Sequence, residues 1–402
     1  MSAVFKALNP KSANALQFPC RQCGAVLKYA PGTTHLLCEH CGTENVIELR
    51  SEKIAEYDLR QALQQLAETP TTTAAAPTIH CEECGAGFQF EAKNHAGECP
   101  FCGTPIVATT GQIKPIQPKS LLPFGIDQAN ARQRFQQWIT GLWFAPNAVK
   151  KYARSDTKLS GVYLPFWTFD SHTATTYSGE RGDVYYVQER VQVVRNNRLV
   201  TETRQVPKIR WTPVSGRVQR FFDDVLVGAS NSLPRKILDA LQPWDLHNLI
   251  PYDENYLSGF RSEYYQVELA DGFDLARQVM DNQIYADICR DIGGDHQRIH
   301  QVNTQHSGTT YKHCLLPVWS AAFRYRDKSY RFVVNGRTGK VQGERPYSPW
   351  KIVFACVAAL LLAAGAYYYL EQSGALDNQQ THPVTIQPYP YRQPLDYNSF
   401  QN

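Results

Sequence analysis

No apolar run opens this 402-residue chain. Residues 1–19 lack the h-region of a secretory leader, so the sequence predicts that the segments after them stay in the cytoplasm. A large charge excess is also missing. The balance of 41 basic and 37 acidic residues leaves +4, too little to imply nucleic-acid binding without a local cationic patch. There is no nucleotide-binding P-loop. Gly336-Arg-Thr-Gly339-Lys340 lacks the four-residue gap before Gly-Lys and the Ser or Thr after it, and reads as a hairpin turn. No nucleophile, base and orienting residue can be recognised together, so the sequence predicts a protein without enzymatic activity.

What is present begins with cysteine. Eight of the eleven cysteines form two runs of one spacing, Cys20-x2-Cys23-x14-Cys38-x2-Cys41 and, 61 residues later, Cys81-x2-Cys84-x14-Cys99-x2-Cys102. Each C-x2-C pair can chelate one ion with two thiolates, and the arm between pairs lets a second knuckle complete a tetrahedral S4 shell. Glycine follows Cys23, Cys41, Cys84 and Cys102, where a knuckle turns toward positive φ. The pattern predicts two zinc ribbons, residues 18–48 and 79–110, each holding one structural Zn2+. A rubredoxin-like iron site is the competing reading, since Cys99-Pro-Phe-Cys102-Gly103 would suit one. Neither ribbon carries a basic patch: Arg21, Lys28 and Arg50 balance Glu39, Glu44 and Glu48, and Lys93 faces Glu82, Glu83, Glu91 and Glu98. Cys289, Cys314 and Cys356 have no ligand spacing and read as small apolar residues.

Near the other end, Ile352 to Leu370 runs 19 residues without a charge and would span about 28 Å as a helix. A transmembrane helix is predicted over 350–371, with Trp350 and Lys351 at one interface and Tyr367 to Tyr369 with Glu371 at the other. Arg331, Arg337, Lys340, Arg345 and Lys351 precede the span and Arg392 alone follows it, which predicts the N-terminus inside and the C-terminus outside.

Between these ends the sequence predicts an amphipathic helix at 49–68, a Thr/Ala/Pro-rich linker at 69–78 and an α+β body at 119–346. Ala131, Phe135, Trp138, Ile139 and Leu142 trace one apolar helix face; Ala276, Met280, Ile284 and Ile288 trace another. A strand opening follows each, Leu164-Pro-Phe-Trp167 and Leu316-Pro-Val-Trp319, which suggests duplicated units near 119–230 and 231–346. Strands are expected at 184–194, 198–210, 217–227, 262–269 and 322–342, with Asn196-Asn197 and Asn335-Gly336 as hairpin turns. Trp167 and Trp319 read as core aromatics. Residues 372–402 read as a disordered tail.

Two further clusters draw bland readings. Residues 189–220 hold Arg190, Arg195, Arg198, Arg204, Lys208, Arg210, Arg217 and Arg220 against Glu189 and Glu202. This reads first as a solvated face, then as a surface for anionic lipid, and last for nucleic acid. His296, His300, His306, His313 and Cys314 lie near Asp287, Asp291 and Asp295, but fit no compact ligand pair and read as a polar loop.

The runs Gly161 to Asp170, Tyr177 to Asp183, Leu315 to Trp319 and Val333 to Lys340, with the paired C-x2-C-G knuckles, resemble a bacterial family of TFIIB-type zinc-ribbon membrane proteins over nearly the whole chain. That family often carries a label borrowed from the primosomal helicase, primosomal protein N′, which the missing P-loop contradicts here. The resemblance implies partnership with SPFH-domain and phage-shock PspA-like proteins in membrane-stress assemblies. The expectation is therefore a non-enzymatic, single-pass adaptor or scaffold of the bacterial inner membrane. It would contact the lipid bilayer through its helix and recruit protein partners at the cytoplasmic face. The alternative is a membrane-tethered nucleic-acid-binding protein.

Overall fold

Alternation of small polar and apolar side chains runs much further along this chain than the expected strands, and it builds very long strands. The computed structural model describes residues 15–48, 52–68, 79–80, 87–88, 94–98, 104–108, 116–147, 159–195, 198–325, 328–345 and 347–372. Cys81, Cys84, Cys99, Cys102, the 69–78 linker, Asn196-Asn197 and the tail after Gln372 lie outside the described residues. The chain divides into two units, residues 1–141 with 148–345, and residues 142–147 with 346–402.

In chain order the elements used below are β1 (Lys28–Tyr29), β2 (His35–Leu37), β3 (Glu44–Val46), β4 (Tyr57–Asp58), α1 (Leu59–Glu68) and α2 (Gln128–Gly141). They continue with β5 (Ser160–Arg195), β6 (Arg198–Gly228), β7 (Arg261–Glu263), α3 (Leu269–Ile292), β8 (His296–Tyr325), β9 (Lys328–Asn335), β10 (Val341–Gly343) and α4 (Pro349–Gln372).

In the first unit β6, β5, β8, β9 and β10 lie side by side, all antiparallel. Two short segments join in parallel, β7 beside the start of β5 and Ser120–Leu121 beside β8. β5 alone has 36 residues, on the order of 100 Å of extended chain. Its surroundings change along its length. Tyr163 to Ser171 are buried on both faces; from there to Gly182 the odd positions Thr173, Thr175 and Tyr177 stay buried while His172 and Thr176 face solvent. Beyond Gly182, where β8 begins, β5 and β6 continue as a two-stranded arm.

α3 covers the half-buried stretch. After Leu269, its buried residues Gly272, Ala276, Met280, Ile284, Ile288 and Ile292 recur every fourth position. Each such step turns about 40° beyond a full circle, so the apolar stripe winds around the helix as the twisted sheet beneath it turns. Gly272 is required at the closest approach, since a Cβ there would stand 2.7 Å from Trp167 Cδ1. α2 buries Ala131, Phe135 and Ile139, and Phe135 stacks on Phe332 of β9. Trp167 and Trp319 are both buried, and their bonds mirror each other. Trp167 Nε1 donates to Val267 O (3.0 Å), two residues before α3, and Trp319 Nε1 donates to Ile126 O (3.1 Å), two residues before α2. Leu164 of β5 faces Leu316 of β8 across the central ladder.

Several expectations need correction. The strand placed at 184–194 begins at Ser160, and those at 198–210 and 217–227 are one strand, β6. The strand expected at 262–269 stops at Glu263, because Gln266 N and Val267 N turn to Ala229 O and α3 starts at Leu269. Residues 296–314, read as a polar loop, are the first part of β8; their polarity fits a strand with a solvated face. The helix expected from residue 49 begins at Leu59, after β4 has paired with Thr310 and Tyr311 of β8. Asn335 does open a hairpin turn between β9 and β10: Asn335 N donates to Lys340 O (2.8 Å), and its Oδ1 accepts from Arg337 N and Thr338 N (2.9 and 3.0 Å).

The second unit contains α4. Its stretch Pro349–Leu370, 22 residues, is long and apolar enough to cross a membrane, with none of its apolar window buried.

Candidate metal centre

Two knuckles built alike bring four sulfurs together. Cys20 N donates to Ala25 O (2.7 Å) and Gly24 N to Cys20 O (2.9 Å); in the second, Cys38 N donates to Thr43 O (3.0 Å) and Gly42 N to Cys38 O (2.9 Å). Both turns pass through glycine at positive φ, +75° at Gly24 and +74° at Gly42, where a side chain would be strained. Cys20 Sγ lies 3.7 Å from Cys41 Sγ and Cys23 Sγ lies 3.5 Å from Cys38 Sγ, with all four sulfurs within 4.8 Å of one another. A tetrahedral S4 shell with metal–sulfur bonds of about 2.3 Å has sulfur–sulfur edges of about 3.8 Å. The residues therefore fit one metal ion.

The surroundings prepare these thiols as ligands. Gln22 N approaches Cys20 Sγ (3.4 Å) and Cys41 N approaches Cys38 Sγ (3.5 Å). Asn45 is buried behind them, its Nδ2 3.9 Å from Cys20 Sγ and its Oδ1 accepting from Arg21 N (3.3 Å). Thr43 holds Cys41 down at about 6 through its hydroxyl and its backbone N–H. The Ala25 N–H draws Cys23 the same way, yet the neighbouring thiols push it up to about 12. Four thiolates this close need a cation between them, so metal uptake releases protons. A filled S4 shell leaves no position for water or substrate, and the soft ligand set suits zinc or iron.

This four-cysteine module is docked on the body. Tyr29 of β1 meets Tyr256 edge-on at 4.9 Å between ring centres, its N donates to Ser258 O (3.0 Å), and Ser258 Oγ donates to Leu27 O (2.7 Å). Gly32 N donates to Phe124 O (2.8 Å). A cavity of about 450 Å³ lies beside this contact, lined by Arg21, Asn45, Ile47 and Glu48 and by Asp253 and Asn255.

Of the second cysteine set only the flanking backbone is described, and it repeats the first. β2 and β3 pair as His35↔Val46, Leu36↔Asn45 and Leu37↔Glu44; adding 61 to each number gives the observed pairs Ala96↔Val107, Gly97↔Ile106 and Glu98↔Pro105. The bridge Pro19↔Val26 recurs as His80↔Gly87. The second hairpin is built into the large sheet, with Ser262 of β7 against Ala96 and Leu16 against Val107.

Sequence reasoning missed an ionic cluster around the buried Lys312 and Asp170. Around Asp170 β6 and β8 each carry one residue more than β5, and Asp224 of β6 turns to φ +50° beside it. Lys312 Nζ lies 2.7 Å from Asp224 Oδ1, 3.2 Å from Glu56 Oε1 and 3.9 Å from Asp170 Oδ2, while Asp170 Oδ1 accepts from Asp224 N (2.6 Å). Burial pushes Asp170 up to about 6, and its carboxylate partners hold Lys312 charged against burial. The cluster ties the segment before β4 to the sheet. Spacing gives no sign of it, since its members stand far apart in sequence and meet through strand register.

The remaining candidates disperse. Asp287 takes a bidentate bond from Arg220 (2.6 and 2.8 Å), Asp291 accepts from Tyr177 Oη (2.6 Å), and Asp295 accepts from Val184 N (2.8 Å). His313 and Cys314 are buried in the sheet. His306 Nδ1 lies 3.3 Å from Ser171 Oγ, but Ser171 is fully buried, so no substrate reaches it. In the basic stretch Lys208 pairs with Glu189, and the register sets Arg204 opposite Glu189 and Arg210 opposite Asp183. The Lys208–Glu189 pair offsets part of its charge.

No protein-family model matches the chain, and no solved structure does. The chain is similar to a Bacillus subtilis (strain 168) protein whose name is "Uncharacterized protein YdjG", 25% identical over 345 residues, which cover 84% of this chain and 92% of the relative.

Proposed function

We propose that this protein is a non-enzymatic, membrane-anchored adaptor whose two zinc ribbons present rigid faces to protein partners at the cytoplasmic face of a bacterial inner membrane. The outer face of β2 and β3 carries this reading. Leu37 is 37% and Val46 68% exposed there, apolar side chains rimmed by the Lys28–Glu39 pair (3.0 Å) and the His35–Glu44 pair (3.5 Å). An apolar centre with a charged rim, on a module stiffened by metal, suits recognition rather than chemistry.

Zinc is the ion proposed for the all-thiolate shell, which it fills as a structural ion, and the backbone pairing that recurs 61 residues on supports two ions per chain. The mirrored tryptophan bonds support a body made of two related units. A match covering 84% of the chain reaches well past the cysteine repeats, which supports an affiliation resting on the whole architecture, as the TFIIB-type membrane family would require. SPFH-domain and PspA-like proteins are the partners proposed from that affiliation. The basic residues before α4 favour an inside N-terminus. The Lys208–Glu189 pair, with acids opposite Arg204 and Arg210 in the strand register, weighs against nucleic acid.

The test is a full-length Leu37→Asp, Val46→Asp variant purified from native membranes. It should keep two zinc ions per chain, resist carbonate washing and lose co-purifying SPFH- or PspA-class proteins. Retention of those proteins overturns the adaptor reading.

A further inference from the structure

The second unit holds a short loop that no sequence rule connects to the helix. Leu142–Asn147 follows α2 in the chain, more than two hundred residues before α4, yet it clusters with α4. Ser348 N donates to Phe144 O (2.8 Å), fixing the loop at the start of the helix. Lys351, the one charge in the apolar span, donates from Nζ to Trp143 O (3.2 Å), Ala145 O (2.9 Å) and Asn147 Oδ1 (2.8 Å). Three oxygens thus satisfy the ammonium at the end of the helix, and their backbone is held in one shape.

That shape turns aromatic side chains outward. Trp143 is 74% exposed and Trp350 is 82% exposed, with Phe144 and Tyr347 also exposed. Four aromatics around the first turn of a membrane-length helix make a costly surface for water and an ordinary one for the headgroup boundary, where Trp and Tyr rings place an apolar body in the chains and a polar edge outside. We infer that Leu142–Asn147 is a second membrane-contacting element, whose Trp143 and Phe144 enter the headgroup boundary of a phospholipid bilayer beside Trp350. Lys351 acts as its clamp, and the chain meets the interface at two separated points of its sequence. This rests on reading α4 as a membrane span.

The test uses the full chain in phosphatidylcholine–phosphatidylglycerol vesicles. Emission lost on Trp143→Phe isolates Trp143, and emission lost on Trp350→Phe isolates Trp350; neither exchange touches a buried ring. Lipid brominated near the headgroup should quench both alike, and aqueous iodide should quench neither well. If bromolipid quenches Trp350 while iodide quenches Trp143, the inference fails and the span survives. Quenching of neither by bromolipid overturns both. A bound protein would shield Trp143 from iodide and bromolipid together, which also overturns lipid contact. Lys351→Met should release the loop, so that bromolipid quenching of Trp143 falls while that of Trp350 persists. Unchanged quenching of Trp143 removes Lys351 as the clamp.

Discussion

The hairpin at 35–46 and its counterpart at 96–107 share one register, 61 residues apart, and live in opposite surroundings. In the first, the strands bury only Leu36 and Asn45, beside the buried Cys38 of the turn, and the other face carries exposed Leu37, Glu44 and Val46. In the second, Ala96, Gly97, Ile106 and Val107 are all buried, because β7 and Leu16 pair with its two edges. Position 45 shows the difference best. Asn45 braces the cysteine cage, while Ile106 fills the body core. One local design thus serves as a peripheral module in one place and as part of the sheet in the other. Pairing register is a local property, whereas exposure depends on what lies alongside.

Cysteine replacement tests this contrast most strongly, since metal ligation contributes on the order of 10 kcal/mol to such a module. Cys38→Ser should remove one metal equivalent and open residues 15–48 to protease, while the body's melting transition stays near the wild-type temperature. Cys99→Ser should also remove one equivalent, but lower that transition. Equal effects on the body would erase the distinction. A buried charge is next. Val107→Asp should destabilise the body by about 3 kcal/mol or more, and Val46→Asp by about 0.5 kcal/mol or less, read by denaturant unfolding.

Asn45→Ala and Ile106→Ala sharpen the comparison at equivalent positions. Ile106→Ala should cost about 2–5 kcal/mol of body stability and leave metal affinity alone. Asn45→Ala should weaken metal affinity about 10- to 100-fold in chelator competition and leave body unfolding alone.

The smallest effect is a pH slope confined to the body. His313 is buried and held down at about 4, from an ordinary 6.5, so its contribution is complete above 6.5 and is lost as pH falls toward 4. Asp170, raised to about 6 from 3.8, binds its proton more tightly when folded, so its contribution falls as pH rises from about 4 to 6. These slopes oppose each other. Thermal melts at pH 7 and pH 5 should show His313→Gln losing less on acidification than wild type, and Asp170→Asn losing more.

The features legible in the residues alone are local. The cysteine spacing, the glycines after each knuckle, the stripe from Ala276 to Ile288 and the uncharged run before Leu370 each lie within a few turns of chain, where spacing fixes geometry. Strand residues 169–183 and 296–313 escaped notice because their Thr, Ser, Gln and His carry little apolar signal on the solvated face, and their ladders pair residues over a hundred positions apart. Only the tertiary structure set Lys312 among Glu56, Asp170 and Asp224, put Trp143 beside the start of α4, and buried one cysteine-flanking hairpin while exposing the other. Each depends on contacts between distant segments, and no window of neighbouring residues contains both partners.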